Sequence, residues 1–324
     1  MHIALTGISG FIGSVIARHL HDAGHSVTGL VRSTSRRDHV EPCVRNFVIG
    51  DHADASAWPE LLDSADCVIH NSFDWKTLRA KDLTGHLHSN LLGSIELLHA
   101  SAPRQFIYIS SIAVHHDMRP RWSGVIDEDH PTRPSSLYGA CKAAVEAHLW
   151  AAHFEHGRHT CAFRPCAVYG IDPDLSRSIG YPIIQKLRRE KRYDKPGGGK
   201  FVHVDDVAAA VTAAVGNDDA SMGSEAPAAS RGCDGSGSPG CSGGPGCSGG
   251  VYNLADCYAR WADLAVMAAD LLGIAGEVEI DLSSPPAPKN TFTIDAAATL
   301  GTHLTRGHQG LRTHLANLIS HIPD

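Results

Sequence analysis

The sequence lacks the features that mark membrane-spanning, nucleic-acid-binding and metal-binding proteins. It contains no apolar run of the roughly 18 residues that a transmembrane helix needs, no block of basic residues, and no HExxH motif or CxxC pair. Its 28 basic residues are outnumbered by 35 acidic ones, and the net charge of -7 gives no general attraction for a phosphate backbone. The opening residues also lack the basic start of a signal peptide. We therefore expect a cytoplasmic protein with no nucleic acid, membrane or metal partner.

Cysteine is the residue type that most invites a disulfide or metal interpretation, since the chain contains nine. Most are scattered through apolar or helical contexts, which favours buried free thiols. The other three, Cys233, Cys241 and Cys247, lie in a Gly/Ser/Pro-rich stretch, 223–250, in which the hexapeptide PGCSGG occurs twice. This stretch has no apolar periodicity and predicts a disordered surface insertion.

Short apolar runs alternate with longer helical patterns through the first half of the chain. Runs this apolar suit strands covered on both faces, and the helical periodicity between them suits crossover helices. The pattern predicts an α/β fold with a doubly wound parallel sheet of the Rossmann type. The predicted strands are 2–6, 26–31, 46–50, 66–70, 105–110 and 160–164, and the predicted helices are 11–24, 82–101, 135–157, 182–192, 205–215 and 260–273.

A glycine-rich turn stands directly after the first predicted strand. In ALTGISGFIG, residues 4–13, Thr6 is followed by Gly7, Gly10 and Gly13 at the start of a predicted helix. Gly7 permits the tight turn, Gly10 lets the backbone approach a pyrophosphate, and Gly13 lets helix and strand pack closely. The free N–H groups of the helix N-terminus then face the phosphates. This context predicts a dinucleotide site rather than a merely flexible loop.

The chain divides accordingly into two predicted parts. We assign residues 1–165 to the dinucleotide-binding Rossmann domain, joined by parts of 201–215 and 251–256. Residues 166–324 mainly form a smaller C-terminal substrate-binding lobe that includes the insertion.

The end of the second predicted strand bears on which dinucleotide binds. NAD-binding sites usually place an acidic residue there, on the ribose 2′-hydroxyl. Here Val31 occupies that position, and Arg32, Arg36 and Arg37 follow it. A guanidinium suits a 2′-phosphate through charge-assisted bonds. We expect NADP in preference to NAD, the alternative being that these arginines only cover a solvated loop.

A tyrosine and a lysine, Tyr138 and Lys142, lie four residues apart on a predicted helix and therefore on one face of it. Ser111 closes the fifth predicted strand, at the edge where doubly wound sheets bind ligands. A neighbouring ammonium group favours the phenolate of a tyrosine, which is otherwise a poor base at neutral pH. The three residues predict acid–base catalysis, against the alternative of an ordinary helix surface.

These motifs resemble those of the extended short-chain dehydrogenase/reductases, in the broad NAD-dependent epimerase/dehydratase family. The matching segments, in the family's order, are TGISGFIG (6–13), YISSIAV (108–114), YGACK (138–142), FRPCAVYG (163–170) and FVHVDDVAAAV (201–211).

The resemblance implies that Ser111, Tyr138 and Lys142 are catalytic, that Asn90 supports them, and that the chain is a homodimer through helices 82–101 and 135–157. Beside Arg32, it implies a cofactor site formed by Thr6, Gly7, Gly10, Phe11, Ile12, Gly13, Asp51, His70, Asn71, Ser110, Tyr138, Lys142, Pro165 and Val168. Candidate substrate residues are Ser72, His115, His116 and Tyr181.

Departures from the family pattern narrow the expected reaction. Ile112 and Ala113 stand where a sugar-nucleotide dehydratase would have an Asp-Glu pair, so dehydration is not expected, and the segment 171–200 is short for a sugar-nucleotide site. We expect an NAD(P)-dependent oxidoreductase that moves hydride between nicotinamide and a carbonyl or secondary alcohol of a small substrate. The alternatives are a sugar-nucleotide epimerase with tightly bound NAD and a redox-inactive dinucleotide sensor.

Overall fold

The computed structural model describes residues 1–115, 124–216 and 248–323, in which the chain forms fourteen strands and eleven α-helices. The strands are β1 (His2–Thr6), β2 (Ser26–Val31), β3 (Asn46–Ile49), β4 (Cys67–His70), β5 (Gln105–Ile109), β6 (Gly124–Ile126), β7 (Thr160–Pro165), β8 (Ala167–Tyr169), β9 (Arg192–Tyr193), β10 (Gly198–His203), β11 (Val251–Leu254), β12 (Cys257–Arg260), β13 (Glu279–Ile280) and β14 (Asn290–Phe292).

The helices are α1 (Phe11–Asp22), α2 (Trp58–Leu61), α3 (Trp75–Arg79), α4 (Leu83–His86), α5 (Gly93–Ala100), α6 (Leu137–His156), α7 (Tyr181–Glu190), α8 (Val204–Ala214), α9 (Trp261–Leu271), α10 (Asp295–Thr299) and α11 (Gly307–His321). A π-helical segment, Leu87–Leu92, joins α4 to α5.

Seven strands form the central sheet, in the order β3-β2-β1-β4-β5-β7-β11. Every neighbouring pair in this sheet is parallel. The chain winds outward from β1 to β3 and then from β4 to β11 on the other side, so the winding direction reverses between β1 and β4. This order confirms the predicted Rossmann-type fold and opens a ligand crevice at the carboxyl ends of these two strands.

Both faces of the sheet are covered, because successive side chains of a strand point to opposite sides. Ile3 and Leu5 of β1 belong to a core formed with α1 and α8, whereas Ala4 belongs to a core formed with α2, α5 and α6. The residues of β4, β5 and β7 are buried throughout. A strand covered on both faces can be apolar at every position, which explains the continuous apolar runs of the sequence.

A second lobe is built from later, non-contiguous pieces. β8 runs parallel to β10, and β12 runs antiparallel to it. The helices α7, α9 and α11 enclose a separate core with Tyr169 and Phe201. Only Cys166 separates β7 from β8, so the chain passes directly from the carboxyl edge of the central sheet into this lobe. The lobe therefore begins where the crevice of the central sheet opens.

Most of the predicted insertion, residues 223–247 with Cys233, Cys241 and Cys247, lies outside the described residues, and its disorder stays a prediction. At its end the chain returns beside β7, where the Gly249 N–H donates to the Thr160 carbonyl at 2.6 Å. Among the residues that the structure describes, no group of three His, Cys, Asp or Glu side chains is arranged to hold a metal ion. No helix in the same residues is long and apolar enough to cross a membrane.

Candidate active site

The turn between β1 and α1 has a conformation that requires glycine. Gly7 has a φ of +70°, in the left-handed region, and a Cβ there would lie 3.0 Å from the backbone carbonyl carbon of Asn71. A Cβ on Gly13 would lie 2.1 Å from the carbonyl oxygen of Gly7. α1 therefore crosses the turn at a distance that leaves no room for a side chain at residue 13.

α1 begins without a capping side chain. Its N-cap residue, Gly10, makes no side-chain hydrogen bond, and its first turn contains no acidic residue. The first N–H groups of a helix have no intrahelical partner and carry a partial positive charge, so they attract anions. The glycine turn has no side chains in the way, and the helix start has no cap. The N–H groups there can therefore bind the pyrophosphate of a dinucleotide.

A cavity of about 980 Å³ opens at this helix start, along the carboxyl ends of β1, β2 and β4. Its volume suits a ligand of dinucleotide size. The predicted cofactor and substrate residues that line it are Gly7, Gly10, Phe11, Ile12, Arg32, Asp51, Asn71, Ser72 and Tyr181. Pro165 and Val168 line neither this cavity nor the smaller one described below, and their place beside the nicotinamide stays a prediction.

A buried chain of hydrogen bonds fixes the turn after β4 against the glycine turn. Thr6 Oγ1 accepts from the backbone N–H groups of Asn71 and Ser72 at 3.1 and 3.2 Å. The same oxygen lies 2.8 Å from His70 Nδ1, and His70 Nε2 lies 2.9 Å from Ser94 Oγ. Ser94 donates its own proton to a backbone carbonyl, so His70 must donate from Nε2 and accept at Nδ1 from Thr6.

Thr6 and His70, both predicted cofactor residues, thus lie beneath the cavity and not in its wall. His70 is fully buried, and burial lowers the pKa of its imidazole well below the ordinary value. The chain of hydrogen bonds requires this neutral imidazole. In this structure the side chains of Thr6 and His70 hold the turn 70–72 in place.

Asn90 holds the segment that continues from this turn. It is buried in the π-helical segment, and its Oδ1 accepts from the Asp74 N–H at 2.6 Å while its Nδ2 donates to the Asp74 carbonyl at 3.1 Å. The segment carries Phe73 and Trp75, whose ring centroids each lie 4.9 Å from that of Tyr138. Asn90 therefore supports the predicted catalytic tyrosine through these two rings.

Ser111, Tyr138 and Lys142 come together at the carboxyl end of β5. The Ser111 hydroxyl lies beside that of Tyr138 and acts to lower its pKa. Lys142 Nζ donates to the Ile109 carbonyl at 2.7 Å and lies 5.9 Å from the centre of the Tyr138 ring. Tyr138 and Lys142 both lie on α6, four residues apart, and the catalytic role of the three residues stays a prediction.

The expectation that Lys142 would favour the phenolate of Tyr138 is wrong for this structure. Burial raises the pKa of Tyr138, and the hydrogen bond with Ser111 offsets only part of that effect. Lys142 is itself buried, which lowers its pKa to about 8, and its ammonium group is turned toward a backbone carbonyl. Tyr138 is therefore a neutral phenol at neutral pH and can donate a proton.

Ser110, beside the predicted catalytic serine, belongs to a buried ionic cluster. Its hydroxyl donates to Glu146 Oε1. Glu146 lies one turn beyond Lys142 on α6 and pairs with Arg164 of β7, with 2.7 Å between Arg164 Nη2 and Glu146 Oε2. The Arg164 side chain is 0% exposed and that of Glu146 is 2% exposed. The pair ties α6, which carries Tyr138, to the central sheet.

A smaller cavity, of about 630 Å³, has Ser111 and His115 in its wall. His115 Nδ1 lies 3.3 Å from the Pro131 carbonyl, and Nε2 lies 3.3 Å from Arg164 Nη1. Burial and the Arg164 charge lower the pKa of His115 to about 4, so the ring is neutral, donating to Pro131 and accepting from Arg164. Both ring nitrogens are thus used by the protein. The other predicted histidine, His116, lies outside the described residues.

This geometry agrees with the comparison to known families. The model of the NAD dependent epimerase/dehydratase family matches residues 3–225, a span that includes the glycine turn and the Ser111, Tyr138 and Lys142 set. The chain belongs to this family. The assignment confirms the resemblance drawn from the sequence motifs.

Curated relatives include reductases and a dehydratase. The chain is 28% identical over 207 residues to a 4-hydroxy-2-methyl-3-oxo-4-farnesyl-3,4-dihydroquinoline-1-oxide ketoreductase of Stigmatella aurantiaca, a match that covers 62% of this chain and 59% of the relative. It is 28% identical over 225 residues to a dTDP-glucose 4,6-dehydratase of Streptomyces antibioticus, covering 64% and 66%. The chain thus spans less than two thirds of the length of these relatives.

Solved structures share the fold over nearly the whole chain. A UDP-glucose 4-epimerase of Thermotoga maritima superposes with a TM-score of 0.76 at 17% identity, covering 100% of both chains. A dTDP-glucose 4,6-dehydratase of Bacillus anthracis, in complex with NAD, gives a TM-score of 0.73 at 14% identity and covers 99% of this chain and 97% of its own. At such identity the likeness concerns the fold alone.

The buried pair of Glu146 and Arg164 generates a stability prediction. Glu146→Gln leaves the Arg164 charge buried without its counter-ion, and breaking such a pair costs about 3–5 kcal/mol. We expect a fall of that size in the free energy of unfolding, measured by urea denaturation. Glu155→Gln, on an exposed part of the same helix, is the matched control and should change little. A Glu146→Gln protein as stable as the wild type would contradict the role given to the pair.

Proposed function

We propose that the chain is an NAD(P)-dependent oxidoreductase that reduces a carbonyl group of a small substrate. The observation that carries the proposal is that residues of two cavities lie around Tyr138. Phe73 and Trp75, whose rings pack on Tyr138, line the larger cavity, which fits a dinucleotide. Ser111, whose hydroxyl lies beside that of Tyr138, lines the smaller cavity, and Tyr138 itself lines neither. We place the substrate carbonyl between the two cavities, next to Ser111 and Tyr138.

Tyr138 has the protonation state that reduction requires. A carbonyl that gains hydride needs a proton on its oxygen, and a buried neutral phenol can supply one. Ser111, whose hydroxyl lies beside the same phenol, can donate to the carbonyl oxygen and polarise it. When bound, the cofactor supplies the hydride from the nicotinamide ring. Lys142, on the same helix face as Tyr138, is held by the Ile109 carbonyl, and we give it a role in binding the cofactor and none in the proton transfer.

NADP is the cofactor that we propose. Arg32 follows β2 directly and lines the large cavity, at the place where an acidic residue would repel a 2′-phosphate. The two arginines after it have contacts of their own: Arg36, which also lines this cavity, pairs at the surface with Asp38 at 3.2 Å, and Arg37 lies 5.3 Å from the ring centre of Phe47. We assign the phosphate to Arg32, because it follows the strand directly, and Arg36 can share it. NAD remains the alternative, because the family model is that of NAD-dependent enzymes.

The rival function is a sugar-nucleotide epimerase that keeps NAD bound and returns its hydride. It is favoured by the family assignment, since the matching family model includes epimerases. It differs in one measurable respect, since an epimerase forms product without net oxidation of the cofactor. A redox-inactive dinucleotide sensor is less favoured, because a protein that only binds has no use for the set of Ser111, Tyr138 and Lys142.

We also propose that the chain forms a homodimer through the long helices. Trp150 and Phe154 lie one turn apart on α6 and are 38% and 78% exposed. Leu83 and Leu87, also one turn apart, are 52% and 41% exposed at the start of the neighbouring helical stretch. Exposed apolar pairs on adjoining helices suit burial against a second copy.

Removal of the Tyr138 hydroxyl tests the proposed chemistry. Tyr138→Phe keeps the ring against Trp75 but removes the proton donor, so we expect turnover to fall by about 100-fold or more. Affinity for NADPH, measured by fluorescence titration, should stay within a few-fold. Tyr193→Phe, which loses a hydroxyl in the core of the second lobe and lines neither cavity, is the control. Turnover that survives in Tyr138→Phe would remove this residue from the mechanism.

Removal of the Arg32 guanidinium tests the cofactor assignment. We expect Arg32→Ala to weaken NADPH binding by about 1.5–3 kcal/mol, or roughly ten-fold to a hundred-fold, because a charge-assisted bond is lost. Binding of NADH should barely change, since it has no 2′-phosphate. Arg45→Ala, an exposed arginine outside the cavity, is the matched control. Equal affinity of the wild type for NADH and NADPH at one ionic strength would overturn the NADP assignment.

A further inference from the structure

The phenol that the proposed reduction requires is covered in this structure. Tyr138 lines neither the large cavity nor the smaller one, although Phe73, Trp75 and Ser111 around it each line one of them. The Trp75 ring is stacked on the Tyr138 ring, with 4.9 Å between the centroids and 24° between the planes. A carbonyl group in either cavity is therefore separated from Tyr138 by side chains of the cavity wall.

The backbone that carries the Trp75 ring is fixed on both sides of this residue. Asn90 holds both the N–H and the carbonyl group of Asp74, at 2.6 and 3.1 Å. Asp74 Oδ1 accepts from the Lys76 N–H at 2.8 Å and so caps the start of α3. These hydrogen bonds leave the backbone around Trp75 little freedom. Tyr138 can therefore be uncovered only by the rotation of a side chain.

Of the two rings that pack on Tyr138, Phe73 is enclosed and Trp75 is open. The Phe73 ring centre lies 5.8 Å from that of His86 and 5.2 Å from Lys142 Nζ, and the residue is half-buried. Trp75 is 43% exposed. In the described part of the chain its indole N–H makes no hydrogen bond, so packing against Phe73 and Tyr138 holds the side chain. Trp75 is the ring that is free to rotate.

Trp58 shows how this chain fixes a tryptophan that serves the core. Its ring is 6% exposed, and its Nε1 donates to the His52 carbonyl at 3.2 Å. Trp75 has neither constraint, although it lies in the wall of the large cavity. Side chains that are partly exposed change rotamer rapidly compared with the motions of helices and lobes. The indole of Trp75 can therefore move while the fold around it stays in place.

Building on the proposed hydride transfer, we propose that Trp75 gates the access of the substrate to Tyr138. In the closed position, which is that of this structure, the indole covers the phenol. In the open position the indole leaves the Tyr138 ring, Phe73 stays in place, and a carbonyl oxygen reaches the hydroxyl group. The apparent affinity of a substrate that needs the open position is reduced in proportion to the fraction of open molecules. Trp75 is thus a positioning residue that takes no part in proton transfer.

The first test measures access to Tyr138 without cofactor or turnover. The probe is N-acetylimidazole, a small carbonyl compound. The tyrosine oxygen bonds to its acetyl carbon, the bond from that carbon to nitrogen breaks, and the phenol proton goes to the leaving imidazole. Acetylation of the full chain is followed by peptide mass spectrometry, with Tyr258 as the reference in the same sample. We expect Tyr138 to react roughly ten-fold faster in Trp75→Ala than in the wild type, with the rate at Tyr258 unchanged.

Two further variants control this measurement. Trp75→Phe keeps a ring over Tyr138 and should react more slowly than Trp75→Ala. Lys76→Ala changes the next residue of α3, which is exposed and lines neither cavity, and should react like the wild type. Equal rates at Tyr138 in the wild type and Trp75→Ala would overturn the inference, as would a rise that Tyr258 shares.

The second test measures the use of a substrate. NADPH oxidation is followed with 2,3-butanedione or 9,10-phenanthrenequinone, whichever the wild type reduces faster. We expect Trp75→Ala to lower the KM for this probe several-fold with kcat little changed, because the opening step is removed while Ser111 and Tyr138 remain. Loss of a merely structural side chain would raise KM or lower kcat. A KM that is unchanged or higher in Trp75→Ala would overturn the gate.

The outcomes separate this inference from the proposed function. NADPH-dependent turnover with equal acetylation of Tyr138 in the wild type and Trp75→Ala would overturn the inference and leave the oxidoreductase assignment standing. Absence of NADPH binding, measured by fluorescence titration, would overturn the proposed function. The acetylation rates would then still decide whether Trp75 covers Tyr138.

Discussion

The crossing of α1 over the carbonyl oxygen of Gly7 is the constraint on which the site depends. Because Gly13 has no side chain, the start of α1 reaches the carboxyl end of β1. The same turn contains Thr6, whose hydroxyl accepts from two N–H groups of the turn after β4. The close contact thus brings the start of α1 to the carboxyl ends of β1 and β4, between which the winding direction of the sheet reverses. The large cavity opens at this place.

Two buried polar clusters extend this arrangement to the reacting groups. His70, between Thr6 and Ser94, links the turn to the helical stretch that includes Asn90. Glu146 and Arg164 link α6 to β7. Polar groups in an interior are stable only when they are paired, so each cluster permits few alternative positions of its elements. The predicted catalytic tyrosine lies between the two clusters.

Much of the fold could be predicted from local sequence, and parts of the site could not. Continuous apolar runs identify buried parallel strands, and a glycine motif is local by nature, so the central sheet and the turn are visible in the sequence. The two-residue strands β9 and β13 show no periodicity, and Phe73 and Trp75 meet Tyr138 only through tertiary structure. Glu146 could have been noticed, since it stands four residues after Lys142 on one helix face. The raised pKa of Tyr138 could not, because it comes from burial, which depends on the tertiary structure.

The most direct measurement of the central claim is a NADPH titration of Gly13→Ala, followed by the fluorescence of Trp75, which lines the large cavity. A Cβ at residue 13 must displace α1 from the Gly7 carbonyl, and overpacking of this kind costs about 1–3 kcal/mol. Gly276→Ala, where a Cβ meets nothing within 4 Å, is the control. The account predicts that Gly13→Ala stays folded by near-ultraviolet circular dichroism but loses roughly ten-fold or more in NADPH affinity, with Gly276→Ala unchanged. A folded Gly13→Ala protein that binds NADPH like the wild type would contradict it.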